Sequence, residues 1–122
     1  MIKSYKELIV WQKSMDLCTI VYKITATFPK YELFGLTSQI RRCAVAIPSN
    51  IAEGQIRGHM QEYIQFLRIS MASGAELETQ LLVALNIEYI EKKAYDEVFD
   101  LLQEVMKMLS SLINKLHFKS TL

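Results

Sequence analysis

In "AYDEVFDLLQEVMKMLSSLINKL", Ala94 to Leu116, apolar side chains recur three and four residues apart. Tyr95, Val98, Leu102, Val105, Leu109, Leu112 and Leu116 make a heptad seam, the spacing that gathers side chains on one stripe of an α-helix. Phe99, Met106 and Ile113 widen that stripe to the width a bundle core needs. Asp96, Glu97, Asp100, Glu104, Lys107 and Lys115 fall on the opposite side. One amphipathic helix of this kind needs partners, and the rest of the chain supplies them.

A helix over about His59 to Leu85 carries Met60, Ile64, Leu67, Met71, Gly74, Glu78, Leu81 and Leu85 on one seam. Tyr63, Phe66, Leu77 and Ala84 lie alongside. Gly74 costs roughly 1 kcal/mol of helix propensity, which close approach of another helix would offset. The first helix has two stripes, Leu8, Trp11, Met15, Cys18 and Tyr22, then Val10, Leu17, Val21, Ile24 and Phe28. "FPKYELFG" ends it, because Pro29 drives Phe28 out of helical backbone. The second helix, "LTSQIRRCAVAIPSNIAEG", is capped by Thr37 or Ser38 and interrupted by Pro48. A restart after Pro48, with Asn50 and Glu53 as a capping box, would leave about one turn. A kinked helix that continues to Gly54 is the better reading. With only two prolines, four glycines and no alternating β-branched runs, the expectation is all-α: an antiparallel up-down four-helix bundle over residues 1–122, kinked at Pro48.

Composition narrows the function classes. The net charge is +1 over 122 residues, so no global field draws in nucleic acid. Residues 1–68 nevertheless hold nine Lys/Arg against five Asp/Glu, and residues 69–122 hold five against eight. The halves thus carry +4 and −3, a modest signal of an anionic partner. Hydrophobic residues make up 51% and mean hydropathy is +0.14, high for a lone small bundle; a second apolar face meeting another subunit would account for it. No apolar run approaches the roughly 20 residues of a spanning helix, and the charged N-terminal run is not a signal peptide. Cys18 and Cys43 read as structural thiols in a reducing cytoplasm.

Helix 2 carries the residues that point to a family. "LTSQIRRCAVAIPSNIAEGQIR", followed by "EYIQFLRIS" and "ELETQL", resembles the proteins encoded by intervening sequences in bacterial 23S ribosomal RNA genes, also called the S23 family. "ELIVWQKSMDL" and "FPKYELFGLTSQ" extend the likeness, which spans about Tyr5 to Leu116. The resemblance implies a four-helix bundle, a ring-like homopentamer, and no enzymatic activity. The accessory proteins of diversity-generating retroelements are a related group, and by that likeness a basic ring binding nucleic acid, or recruiting a protein partner, is expected. Three positions depart from the family pattern: His59 where Ser commonly opens helix 3, Glu88 where Gly usually follows it, and Cys43 in place of Ala.

A di-iron bundle needs Glu-x-x-His on two helices, and no glutamate here has a histidine three residues on. The sequence gives no catalytic residue, metal ligand set or cofactor motif. Arg41 and Arg42 stand about 100° apart on their helix, so they face different ways. One of them is expected to pair with Glu76 or Glu78 of helix 3, since Glu78 interrupts an apolar seam. The other, with Arg57, Arg68, Lys13 and Lys23, makes up the candidate nucleic-acid surface, which a ring would multiply. Aromatic residues are not interleaved with these cations, so sequence-specific RNA reading is not supported.

Overall fold

The structure, a computed structural model, describes residues 3–120. Four helices follow one another: α1, Ile9–Thr25; α2, Leu36–Arg57; α3, Met60–Asn86; and α4, Lys92–Ser120. Short 3-10 turns at Tyr5–Glu7 and Lys30–Glu32 complete the regular structure, and no strand occurs among the described residues. Each helix packs on its two neighbours in the closed order α1, α2, α3, α4, and among the described residues the backbones of the diagonal pairs do not approach closely. Side-chain contacts fix the directions. Cys18 meets Ala44 while Arg41 reaches back to Thr25. Ser70 meets Ile47 while Arg57 meets Glu62. Glu78 meets Gln103 while Gly74 meets Met106, and Lys13 meets Glu104 while Val10 shares a groove with Leu112. Neighbours therefore run antiparallel.

The core follows the helical spacing, with one systematic drift. In α4 the buried residues are Tyr95, Val98, Leu102, Val105, Leu109 and Ile113, so the last step is four residues and Ile113 replaces Leu112. Leu112 and Leu116 are only partly buried. A strict seven-residue seam drifts around a 3.6-residue helix, and a straight helix follows its own period. In α1 the second of the two apolar stripes is buried, with Val10, Leu17 and Val21 at its centre. The first stripe, Trp11, Met15, Cys18 and Tyr22, lies half-buried to exposed.

Two glycines mark close approaches. A Cβ on Gly74 would overlap the Met106 thioether of α4, which explains a helix-weakening residue in mid-α3. A Cβ on Gly54 would stand 2.7 Å from the Phe66 Cβ and 3.2 Å from the Tyr63 ring. Gly54 is therefore a packing residue and not the stop expected from sequence. Helix α2 continues to Arg57, and Gly58, with φ at 75°, turns the chain into α3. The start of α2 also differs from expectation. Neither Thr37 nor Ser38 caps it; the Glu32 carboxylate accepts the Leu36 amide at 3.3 Å and the Tyr89 hydroxyl at 2.8 Å. One side chain thus ties the α1–α2 loop to the α3–α4 turn. His59 precedes α3 without a side-chain cap bond, as expected of a poor capping residue.

That α3–α4 turn is a Schellman motif. The Tyr89 amide donates to the Ala84 carbonyl at 2.8 Å and the Glu88 amide to Leu85 at 3.0 Å, satisfying carbonyls left over by the helix end. The motif places Glu88 at φ 66°, the one positive φ of a non-glycine residue described. A left-handed backbone costs a β-carbon-bearing residue roughly 1 kcal/mol or more. Glu88→Gly should therefore raise unfolding free energy by about 1 kcal/mol, while Glu88→Ala should gain nothing. Urea denaturation of the two variants measures this, and an equal effect in both would place the cause in the carboxylate instead.

Pro48 is buried inside the unbroken α2. It has no amide hydrogen, so the Ala44 carbonyl lacks its ordinary intrahelical donor. The Cys18 thiol fills that vacancy, donating to the Ala44 oxygen at 3.1 Å. Burial lifts the Cys18 thiol from 9.0 to about 11, which keeps its proton in place at neutral pH. Cys18→Ala should cost about 1–2 kcal/mol, because it leaves a buried carbonyl unpaired, and much less in a Pro48→Ala background where the amide returns. A double-mutant cycle by chemical denaturation checks this; additive costs would show the thiol and the proline to be independent. Since the folded value is raised, this stabilisation is complete below pH 9.0 and is lost as pH rises through about 11.

Candidate functional surface

Two kinds of surface were expected from sequence, an apolar face for a second subunit and a basic face for phosphates. An apolar groove of about 340 Å³ lies between α1 and α2, with Trp11, Met15, Cys18, Val45, Pro48 and Ala52 among its walls. It exists because α1 carries two apolar stripes and the core can take only one. Met15, Tyr22 and Val45 are 42%, 44% and 41% exposed. Tyr5 closes one end, its ring edge-on to Trp11 with centroids 5.4 Å apart. Most of the lining is carbon and sulfur, and the half-buried Cys18 thiol, raised to about 11, keeps its proton at neutral pH. Cys43 is similar: burial first, then the neighbouring Glu76 carboxylate, push its thiol to about 11.

The cations do not converge. Arg41 faces α1: its Nε donates to Thr25 Oγ1 at 2.9 Å, its Nη2 to the Tyr22 carbonyl at 3.4 Å, and its guanidinium lies 4.5 Å over the Tyr22 ring. A cation at the last turn of α1 is also favoured by the helix dipole. Lys13 pairs with Glu104 across α1 and α4 at 2.7 Å. Arg57 joins Glu53 at 3.3 Å and Glu62 at 3.5 Å, and covers the Phe66 ring. Lys23, Arg42 and Arg68 are exposed and make no ion pair within 4.0 Å among the described residues. They sit on three different helices.

The expected Arg41 or Arg42 pair with Glu76 or Glu78 is not formed within the chain. Arg41 lies on the flank of α2 that meets α1, with α3 on the other flank. Glu78 has a different partner, accepting from Gln103 Nε2 of α4 at 3.0 Å. Arg42 and Glu76 both point outward. Among the described residues no group of three or more His, Cys, Asp or Glu is placed to hold a metal ion, and no helix is long and apolar enough to cross a membrane.

A family model described as 23S rRNA-intervening sequence protein matches residues 6–111. The chain belongs to that family. A crystal structure of a protein of unknown function from the S23 ribosomal protein family of Bacteroides thetaiotaomicron VPI-5482 superposes with a TM-score of 0.78 at 26% identity. The match covers 86% of the present chain and 98% of that one. Curated proteins give no match.

Within this intervening-sequence protein, the residues that sequence reading missed are Cys18 as carbonyl donor, Glu32 as loop clasp, and Arg41 as staple of α1. Each acts through a contact distant in the chain, which spacing along one helix does not reveal. Arg41→Ala should cost about 1–2 kcal/mol through its hydrogen bonds and ring contact, and Arg42→Ala no more than about 0.5 kcal/mol. A double-mutant cycle should find Arg41 coupled to Thr25 and uncoupled from Glu78. Coupling to Glu78 instead would reinstate the pairing expected from sequence.

Proposed function

We propose that this intervening-sequence protein is a non-enzymatic homo-oligomer of the cytoplasm, a ring of bundles that holds other molecules without transforming them. The observation that supports this reading is the α1–α2 face. Met15, Tyr22 and Val45 lie open beside half-buried Trp11, and a contiguous apolar patch rimmed by polar residues is the mark of an interaction site. A ring of five follows from the resemblance to the family. Two unpaired thiols fit a reducing compartment.

A second reading, non-specific binding of RNA or DNA phosphates, draws on Lys23, Arg42 and Arg68, the exposed candidates without ion pairs. Lys13 and Arg57 are already neutralised and Arg41 is spent on α1, so each copy offers few cations. A ring supplies them in multiple. The protein-recruiting alternative needs no cations and keeps the same ring.

Sedimentation velocity over a wide concentration range should show the pentamer mass. Met15→Glu and Val45→Glu should shift it to monomer with helicity retained, since a charge buried in an apolar contact is costly. A wild-type chain that stays monomeric throughout would overturn the oligomer. Fluorescence anisotropy of intact oligomer with ribosomal and unrelated RNA tests the second reading. Phosphate-driven binding should ignore sequence and fall with salt at a log-log slope near −0.7 per contact on single strands. No binding at low salt leaves protein recruitment.

A further inference from the structure

The outer surfaces of α2 and α3 carry matching patterns. On α2, Arg42, Val45, Ser49, Ala52 and Ile56 recur three and four residues apart and lie along the exposed side, Ala52 partly covered. On α3, Ile69, Ala72, Glu76, Thr79 and Val83 do the same and all are exposed. Thr79 donates its hydroxyl to the Ala75 carbonyl at 2.9 Å, so it offers mainly its methyl outward. Each stripe is a heptad seam of small and apolar residues, the pattern by which one helix packs on another; the α3 stripe faces no described helix, and the α2 stripe forms one open wall of the α1–α2 groove. Each holds one charge, positive on α2 and negative on α3. Arg42 and Glu76 make no ion pair within the chain; the Glu76 carboxylate borders the Cys43 thiol.

Heights along the bundle are set by contacts already described. Ser70 stands level with Ile47, Glu62 with Arg57, and Glu76 with Cys43. Continuing that antiparallel register puts Arg42 level with Glu76, Val45 with Ala72, and Ser49 with Ile69. The Cys18–Ala44 bond places the Trp11–Met15 part of the groove at the height of Ile69. In a closed ring every copy points the same way with no rise, and each interface joins two different patches at one height. The two stripes meet this condition.

Resting on the self-association proposed above, we infer that the occupant of the α1–α2 groove is the outer face of α3 from a second copy. Ile69, Ala72, Thr79 and Val83 of one copy lie along Val45, Ser49 and the groove beside Met15 of the next. Arg42 of one copy pairs with Glu76 of the other. The opposite charges at one height set the register of the contact and disfavour slippage.

Charge reversal tests it. Arg42→Glu and Glu76→Arg, each alone, should raise the concentration for half-dissociation about tenfold or more, since each places like charges together. An equimolar mixture of the two variants should recover much of the assembly, because the glutamate placed by Arg42→Glu in one chain then meets the arginine placed by Glu76→Arg in the next at up to four of the five contacts of a ring. A pair within one chain would stay mismatched in that mixture, so the readout separates the two cases. Sedimentation velocity reads the assembly and circular dichroism confirms that each variant is folded. Wild-type oligomer with either variant unaffected, or with no recovery on mixing, overturns this interface and leaves self-association standing. A monomeric wild type would remove both.

Discussion

A proline in the middle of a buried helix removes one amide donor, and water cannot reach the carbonyl left behind. In this chain that carbonyl belongs to Ala44, and Cys18 of α1 supplies the missing hydrogen. One turn further on, Ser70 of α3 donates to the Ile47 carbonyl at 2.9 Å. The proline turn is thus held from both sides by neighbouring helices. A thiol donor is weak, but an unpaired buried carbonyl is costly, so the contact fixes the height of α1 against α2. The Ser70 bond does the same for α3. Register across three helices hangs on this turn.

Close approach does the rest. Gly54 lets α2 sink onto Tyr63 and Phe66, and Gly74 lets α3 sink onto Met106. Neither glycine has a left-handed backbone; each is there because a methyl group would collide. The tight α2–α3 pairing that results is the most extensive in the bundle.

The four helices were legible from spacing because burial on one side is a property of each helix alone. Gly74 as a close approach was also readable, from a propensity conflict, whereas Glu88 stood out only as a departure from the glycine of the family pattern. Gly54 was misread, since a glycine near the end of an apolar run looks the same whether it stops a helix or admits a neighbour. The arginine pairing was misread because it depends on which flank of α2 meets α3. Arg41 and Arg42 are adjacent in sequence but separated by the arc of a helical step, and only the handedness of the bundle says which goes where. The last turns of α4 drifted for a third reason: a heptad repeat and a straight helix part company after several turns.

The apolar fraction of 51% can now be placed. The core takes one stripe from each helix, and α1 brings two. The surplus, with the outer stripes of α2 and α3, lies on adjoining sides of one chain, while the outer side of α4 carries Asp96, Glu97, Asp100 and Glu104. An apolar surplus spread over unlike patches suits the head-to-tail contact proposed above. Such contacts make rings if they close and filaments if they climb. The register fixed at the proline turn places both patches at one height, the condition that the proposed ring would need, while the acidic side of α4 faces water.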